Sequence, residues 1–132
     1  MDWSRYVGIP ERDLGRDRSG VDCWGLYRLV MAEAHGIELP SYAGDYLCSR
    51  ERAQAAAVAR GELAQTPWHE VETPQPFDLL LFRMHGHASH IGACVDRLHM
   101  LHTERNGASV IVRMDDAWKR RLRGIYRHEA LL

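Results

Sequence analysis

The chain has 132 residues, of which 45% are apolar and 27% charged, and its formal net charge is -1. That length fits a single domain, residues 1–132, built around one core, and it is too short for two independent ones. With no basic surplus to hold a phosphate backbone, nucleic acid is excluded as a partner class; the clusters RDLGRDR and KRRLR have acidic neighbours and read as solvated surface.

The opening MDWSRYVGIPERDLGRDR lacks the apolar run of a secretory signal, and no later stretch approaches the roughly 20 apolar residues of a membrane span. The expectation is a protein synthesised in the cytoplasm without a signal peptide and without membrane insertion. Residues 1–21 read as irregular, because Gly8, Pro10, Gly15 and Gly20 interrupt any period. From Asp22 onward Leu26, Leu29 and Val30 recur at helical spacing, Asp22 can serve as N-cap and Gly36 as stop, which predicts a helix over Cys23 to His35. The alanine-rich SRERAQAAAVARGELAQ predicts a second, more exposed helix.

The segment ETPQPFD marks a joint between a helical half and a strand-rich half. Beyond it DLLLFR, SHIGACV, LHMLHT and SVIVRM are aliphatic runs of strand length separated by turn residues, which predicts an antiparallel sheet. DDAWKRRL reads as a short helical turn and GIYRHEA as a last strand. The predicted class is α+β, with the cysteine-bearing helix packed on the sheet. Cys23, Cys48 and Cys94 are odd in number and widely spaced, so free thiols are expected rather than a disulfide framework or a Cys-x-x-Cys clip.

The stretch SGVDCWGLYRLV carries the main chemical question. A cysteine in the first helical turn faces the positive end of the helix dipole and free backbone N–H groups, which favour the thiolate and lower the pKa below about 8.5. A thiolate nucleophile also needs a base within hydrogen-bond reach and a third polar group that fixes the base's tautomer. In SHIGACVDRLHMLHT, Asp96 is the numerical midpoint between His90 and His102, so a hairpin folded about it sets the two imidazoles opposite each other on one face. A register shifted by one residue would part them. Gly92, on the face of His90 by alternation, would leave room for a helix. Taken singly, such a cysteine is more often a small core residue and such a histidine a satisfied polar one; the combination in the order Cys, His, His is what suggests a site.

GVDCWGL, PQPFDLLLF and SHIGACVDRLHMLHT, in that order, resemble the NlpC-like cysteine peptidases, a papain-fold family that cleaves peptide stems of bacterial cell wall. With GRDRSGVDCWGL and GIELPSY in company, the chain is similar to the branch found in bacteriophage tail-assembly proteins. The resemblance implies a papain-like fold, Cys23 as nucleophile, His90 as general base and His102 as the residue that orients it. It implies that Asp22 helps hold the free amine of a stem peptide, that Tyr6 matches the family's upstream tyrosine, and that Trp24 stands in the substrate site where many relatives carry a serine. The family's Pro-Gly-Asp is here Pro76, Phe77 and Asp78, a change of turn rather than of chemistry. The implied reaction is hydrolysis of a γ-D-glutamyl to diamino-acid bond in peptidoglycan without metal or other cofactor. The implied setting is a virion tail acting at the cell wall, with other tail proteins as partners.

Three other readings stay open. HGHASH offers His85, His87 and His90 as zinc ligands, although no aspartate follows at a useful distance. A tail component could keep the fold without catalysis, and a thiol amidase or acyltransferase would share the triad and differ in the acyl acceptor. Cys48 and Cys94 read as inert. Trp68, Trp118 and Tyr126 read as core caps or groove lining without an assigned role, and Tyr42 and Tyr46 could border the cleft.

Overall fold

The structure, a computed structural model, describes residues 1–45 and 52–132. Tyr46, Cys48 and the start of the expected second helix lie outside the described residues. After a 3-10 turn at Trp3–Tyr6, a two-stranded ribbon forms from β1 (Arg16–Asp17) and β2 (Gly20–Val21), in the region expected to be irregular. Helix α1 (Cys23–His35) follows, then α2 (Arg52–Leu63). The strands are β3 (Trp68–Glu70), β4 (Leu79–Met84), β5 (His87–Cys94), β6 (His99–Thr103) and β7 (Ser109–Arg113); helix α3 (Asp116–Arg121) and strand β8 (Leu122–His128) complete the order. Among the described residues β3 to β8 form one antiparallel sheet in the order β3-β8-β4-β5-β6-β7.

The bounds of α1 match the expectation because its signals are local. The Asp22 side chain accepts from the Gly25 N–H, and Gly36 closes the helix in the left-handed conformation, φ 65. Trp24, Tyr27 and Met31 with Leu26 and Val30 form its buried stripe. The stripe joins the main core beside Leu79, Leu81, Ile91, Ala93 and Leu101 on one face of the sheet. Each fully buried large aliphatic there contributes on the order of 1.5–3 kcal/mol. The opposite face carries a smaller core of Leu80, Phe82, Cys94, Met100 and Ile125, covered by Trp118 of α3. The fold is therefore the expected mixed α+β arrangement, and no helix among the described residues is long and apolar enough to cross a membrane.

Phe77, in the place of the family's glycine, has φ 74, a conformation that favours glycine. Its ring packs on Trp3 and edge-on against His35, and its carbonyl accepts from the Tyr27 hydroxyl at 2.6 Å. Next to it Asp78, buried, takes Arg127 of β8 on both carboxylate oxygens at 2.8 Å, tying the turn before β4 to the neighbouring strand.

Candidate active site

The tip of α1 is fixed from two sides. Asp22 Oδ1 accepts from Gly25 N at 2.7 Å and from Arg16 Nη1 at 2.8 Å, and Arg16 Nε donates to the Ser41 carbonyl. The cap alone is worth about 1 kcal/mol, and the Arg16 guanidinium compensates the buried carboxylate. Cys23, the first helical residue, then meets strand β5 where that strand is open. β5 pairs with β6 only through Ala93 and Cys94, so the backbone from Ser89 to Ile91 has no β6 partner on that side. The Cys23 thiol donates to the Ser89 carbonyl at 3.9 Å, and the N–H groups of Ile91 and Trp24 stabilise its sulfur.

This opening explains how a helix on one face of the sheet reaches histidines on the other. Ile91 and Ala93 point toward α1, whereas His90 pairs across from Phe82 and faces Trp118. The expected approach of the helix over Gly92 is thus corrected: a Cβ at Gly92 would meet Met100 Sδ at 2.8 Å, a side chain of the smaller core.

His90 Nε2 and His102 Nδ1 lie 3.0 Å apart. The hairpin that brings them together differs from the expected one. Ala93 pairs with Leu101 and Cys94 with Met100, which sets His102 across from Gly92, two residues from His90. An offset of two keeps both imidazoles on one face, so they meet diagonally. The cause is an asymmetric turn, in which the N–H groups of Val95 and Asp96 both donate to the His99 carbonyl and Leu98 N–H donates to Asp96 Oδ1.

For His90 to accept a proton at Nδ1, its Nε2–H must donate to His102 Nδ1, which places the His102 proton on Nε2. That atom is buried, and among the described residues it has no hydrogen-bond partner. Trp118 covers both rings, stacked on His90 at 5.8 Å and T-shaped to His102 at 5.0 Å between centroids.

Burial keeps the thiol and both imidazoles in their neutral forms. Burial pushes the Cys23 thiol up to about 12, the Asp22 carboxylate adds to the rise, and the Ile91 and Trp24 N–H groups and Arg16 oppose it. The lowered thiol expected from helix-start placement is therefore corrected: the dipole acts in the anticipated direction, and loss of hydration outweighs it. Burial lowers His90 to about 3, helped by His102, Arg52 and Arg121, and burial also lowers His102. The group is a thiol that shares one cavity with two imidazoles of lowered pKa.

Two cavities flank Cys23. One is apolar, between α1 and α2, lined by Trp24, Tyr42, Ala59 and Leu63, with Glu62 beside it held by the Tyr42 hydroxyl and by Trp68 Nε1. The other is polar and holds His90, His102, Trp118, Arg52, Arg105 and Arg121. Cys23, Asp22 and Ser89 border both. Of the residues expected in the substrate site, Asp22 lies at the junction with its Oδ1 occupied, and Trp24 walls the apolar cavity with Nε1 donating to the Pro40 carbonyl. Tyr6 lines neither: it is buried behind α1, with its ring beneath Arg18 and its hydroxyl toward Glu33. Tyr42 borders the apolar cavity, in keeping with its expected place beside the cleft.

His85 and His87 border a shallow pocket beside Arg52 and Arg105. Among the described residues no three His, Cys, Asp or Glu side chains gather as metal ligands, so the zinc arrangement of His85, His87 and His90 is not formed. Cys94 is buried in the smaller core with its thiol on the Asp96 carbonyl, away from the histidines. Trp118, read as a core cap or groove lining without a role, lines the polar cavity; sequence reasoning missed Arg121 and the Ile91 N–H. Their placement depends on α3 folding back over β4 and on the opening between β5 and β6, and neither leaves a local signal.

Comparison with known proteins adds a family. The model of the NlpC/P60 family matches residues 13–127. No curated protein matches the sequence. Among solved structures the chain is similar to the NlpC/p60 domain of the peptidoglycan hydrolase SagA, with 20% identity, 94% of this chain and 91% of that one covered, and a TM-score of 0.63. An NlpC/P60 family protein from Bacillus cereus shows 20% identity over 95% of this chain and 37% of its own, with a TM-score of 0.65. A protein from Staphylococcus aureus described as similar to lipoprotein, NLP/P60 family, shows 20% over 94% and 38%, with a TM-score of 0.63. The chain spans little more than a third of the length of the latter two. At these identities the likeness is one of fold.

Proposed function

Because this chain belongs to the NlpC/P60 family, we propose that it is a cysteine peptidase of bacterial cell wall, hydrolysing an amide bond in peptidoglycan stem peptides, of the γ-D-glutamyl to diamino-acid type. The observation that carries this reading is the assembly around one cavity of Cys23, His90 and His102, with the imidazoles 3.0 Å apart. In the proposed reaction the Cys23 sulfur attacks the amide carbonyl as its proton passes to His90 Nδ1. The imidazolium, held through Nε2 by His102, gives that proton to the leaving amine. A water deprotonated by His90 then releases the acyl group. The N–H groups of Trp24 and Ile91, already beside the sulfur, are the donors available to the developing oxyanion.

The test is mass spectrometry of purified muropeptides incubated with wild type, Cys23→Ala, His90→Ala and wild type with EDTA. The expected outcome is cleavage that both substitutions abolish and EDTA leaves intact, with fragment masses naming the bond. Transfer of the acyl group to an added amine would identify an acyltransferase. Absence of cleavage by folded protein would overturn the peptidase reading and leave a structural component. The proposal includes a tail-associated setting, supported by the resemblance of GRDRSGVDCWGL and GIELPSY; proteomic analysis of purified virions tests it, and absence from the particle would remove it.

A further inference from the structure

The polar cavity has a charge pattern that the triad does not explain. Arg52, from the start of α2, Arg105, from the β6–β7 turn, and Arg121, at the end of α3, converge on it from three elements. None of the three is in an ion pair among the described residues. Glu11 and Glu104 border the same cavity, and among the described residues no ion pair joins Glu104 to these guanidinium groups. Arg121 lies over the Trp118 ring at 5.3 Å, which fixes its position while leaving its N–H edge free. Arg52 and Arg105 continue into the adjoining pocket with His85 and His87. Unpaired arginines beside a catalytic imidazole are costly without an anion: Arg52 and Arg121 both oppose the imidazolium that catalysis must form at His90.

The side of the nucleophile on which they stand identifies what they would bind. His90 hands its proton to the departing amine, so the leaving fragment lies on the His90 side of Cys23, within the arginine-lined cavity. The acyl portion then falls toward the apolar cavity of Trp24 and Tyr42. We propose that Arg52, Arg105 and Arg121 form a subsite for a free carboxylate on the leaving fragment, making the enzyme selective for stems whose diamino acid ends in an ionised carboxyl group. Guanidinium suits this ligand because its planar fork matches a carboxylate bidentately. This rests on the peptidase reading above and deepens it.

The experiment compares two synthetic stem tripeptides, identical except that the C-terminal diamino acid is a free acid in one and a carboxamide in the other. The ratio of their kcat/KM values is measured for wild type, Arg105→Gln and Arg52→Gln. One charge-assisted pair corresponds to roughly a tenfold preference or more for the acid, and each substitution should bring the ratio toward one. A variant that is merely damaged lowers both rates and keeps the ratio. In parallel, binding of both peptides to Cys23→Ala, with and without Arg105→Gln, is followed by calorimetry. Cleavage with equal rates for acid and amide, or a ratio unchanged in both arginine variants, overturns the subsite and leaves the peptidase. If neither peptide is cleaved, yet Cys23→Ala prefers the acid and Arg105→Gln erases the preference, the subsite stands and the peptidase reading falls. Neither cleavage nor selective binding overturns both.

Discussion

At the scale of single residues, a part-buried thiol that shares a cavity with neutral imidazoles behaves differently from a preformed thiolate. Thiolate is the reactive form, so a thiol held above the usual value of about 8.5 is mostly inert at pH 7. Cys23 should alkylate with iodoacetamide more slowly than glutathione at pH 7 and accelerate only in alkaline solution; a rate at or above that of glutathione would show a preformed ion pair. His90 gives the opposite limb. Its pKa is depressed, so the base stays neutral as pH falls and is lost only well below the ordinary imidazole range. The profile of kcat/KM should therefore be flat from neutral into weakly acidic solution, and an acid limb near 6.5 or higher would contradict the buried assignment. That Cys23, His90 and His102 come to one cavity was legible in the sequence, and their charge state was not. Helix-start placement is local information, whereas desolvation comes from Ser89, Ile91 and Trp118, which the chain supplies from distant positions. The histidine pair shows the same division. Parity along two strands sufficed to put both rings on one face, and the two-residue offset depended on how the turn at Val95 to His99 closes its hydrogen bonds.

At the scale of elements, the start of α1 is positioned by a contact that no period reveals. A Cβ at Gly25 would lie 1.9 Å from the Gly15 carbonyl oxygen, so the ribbon β1–β2 rests directly on the first turn of α1. Propensity alone favours Gly25→Ala by about 1 kcal/mol. Here the methyl group must push the ribbon away, against the hydrogen bonds of Arg16 to Asp22 and Ser41. Overpacking of this kind costs on the order of 1–3 kcal/mol. The expected outcome is a lower Tm in thermal denaturation together with reduced muropeptide cleavage, since Asp22 and Cys23 move with the helix tip. A raised Tm with full activity would mean that the ribbon yields freely. The ends of α1 could be read because Asp22 and Gly36 are signals within the helix's own sequence. β1, β2 and β3 escaped because strands of two or three residues are too short to show alternation.

At the scale of the whole molecule, the candidate site depends on both faces of the sheet, because Cys23 packs against the larger core while the histidines lie against Phe82 and Trp118 on the side of the smaller one. The N-terminal segment helps hold that arrangement as a strap along β7. Gly8 and Ser109 N–H groups bond to the Ser109 and Ile9 carbonyls, and Glu11 N–H to the Gly107 carbonyl. This clasp over residues 1–21 pairs positions a hundred apart in sequence, which is why the segment read as irregular: its order is imposed by the sheet edge it covers. Ser109 is the central link. It is fully buried, its Oγ accepts from Ile9 N at 2.9 Å, and its hydroxyl donates to the Tyr6 carbonyl. Ser109→Ala leaves a buried N–H and a buried carbonyl without that partner, at a cost of roughly 1–3 kcal/mol. For a domain of this size each kcal/mol corresponds to roughly 3–5 °C, so Tm should fall by several degrees in calorimetry. Because Ser109 itself lines neither cavity beside Cys23, kcat/KM at 25 °C should stay within about twofold of wild type, and the form of its pH dependence should not change. A shifted acid limb would mean that the clasp is coupled to His90 through β6, and an unchanged Tm would mean that the strap does not stabilise the sheet edge.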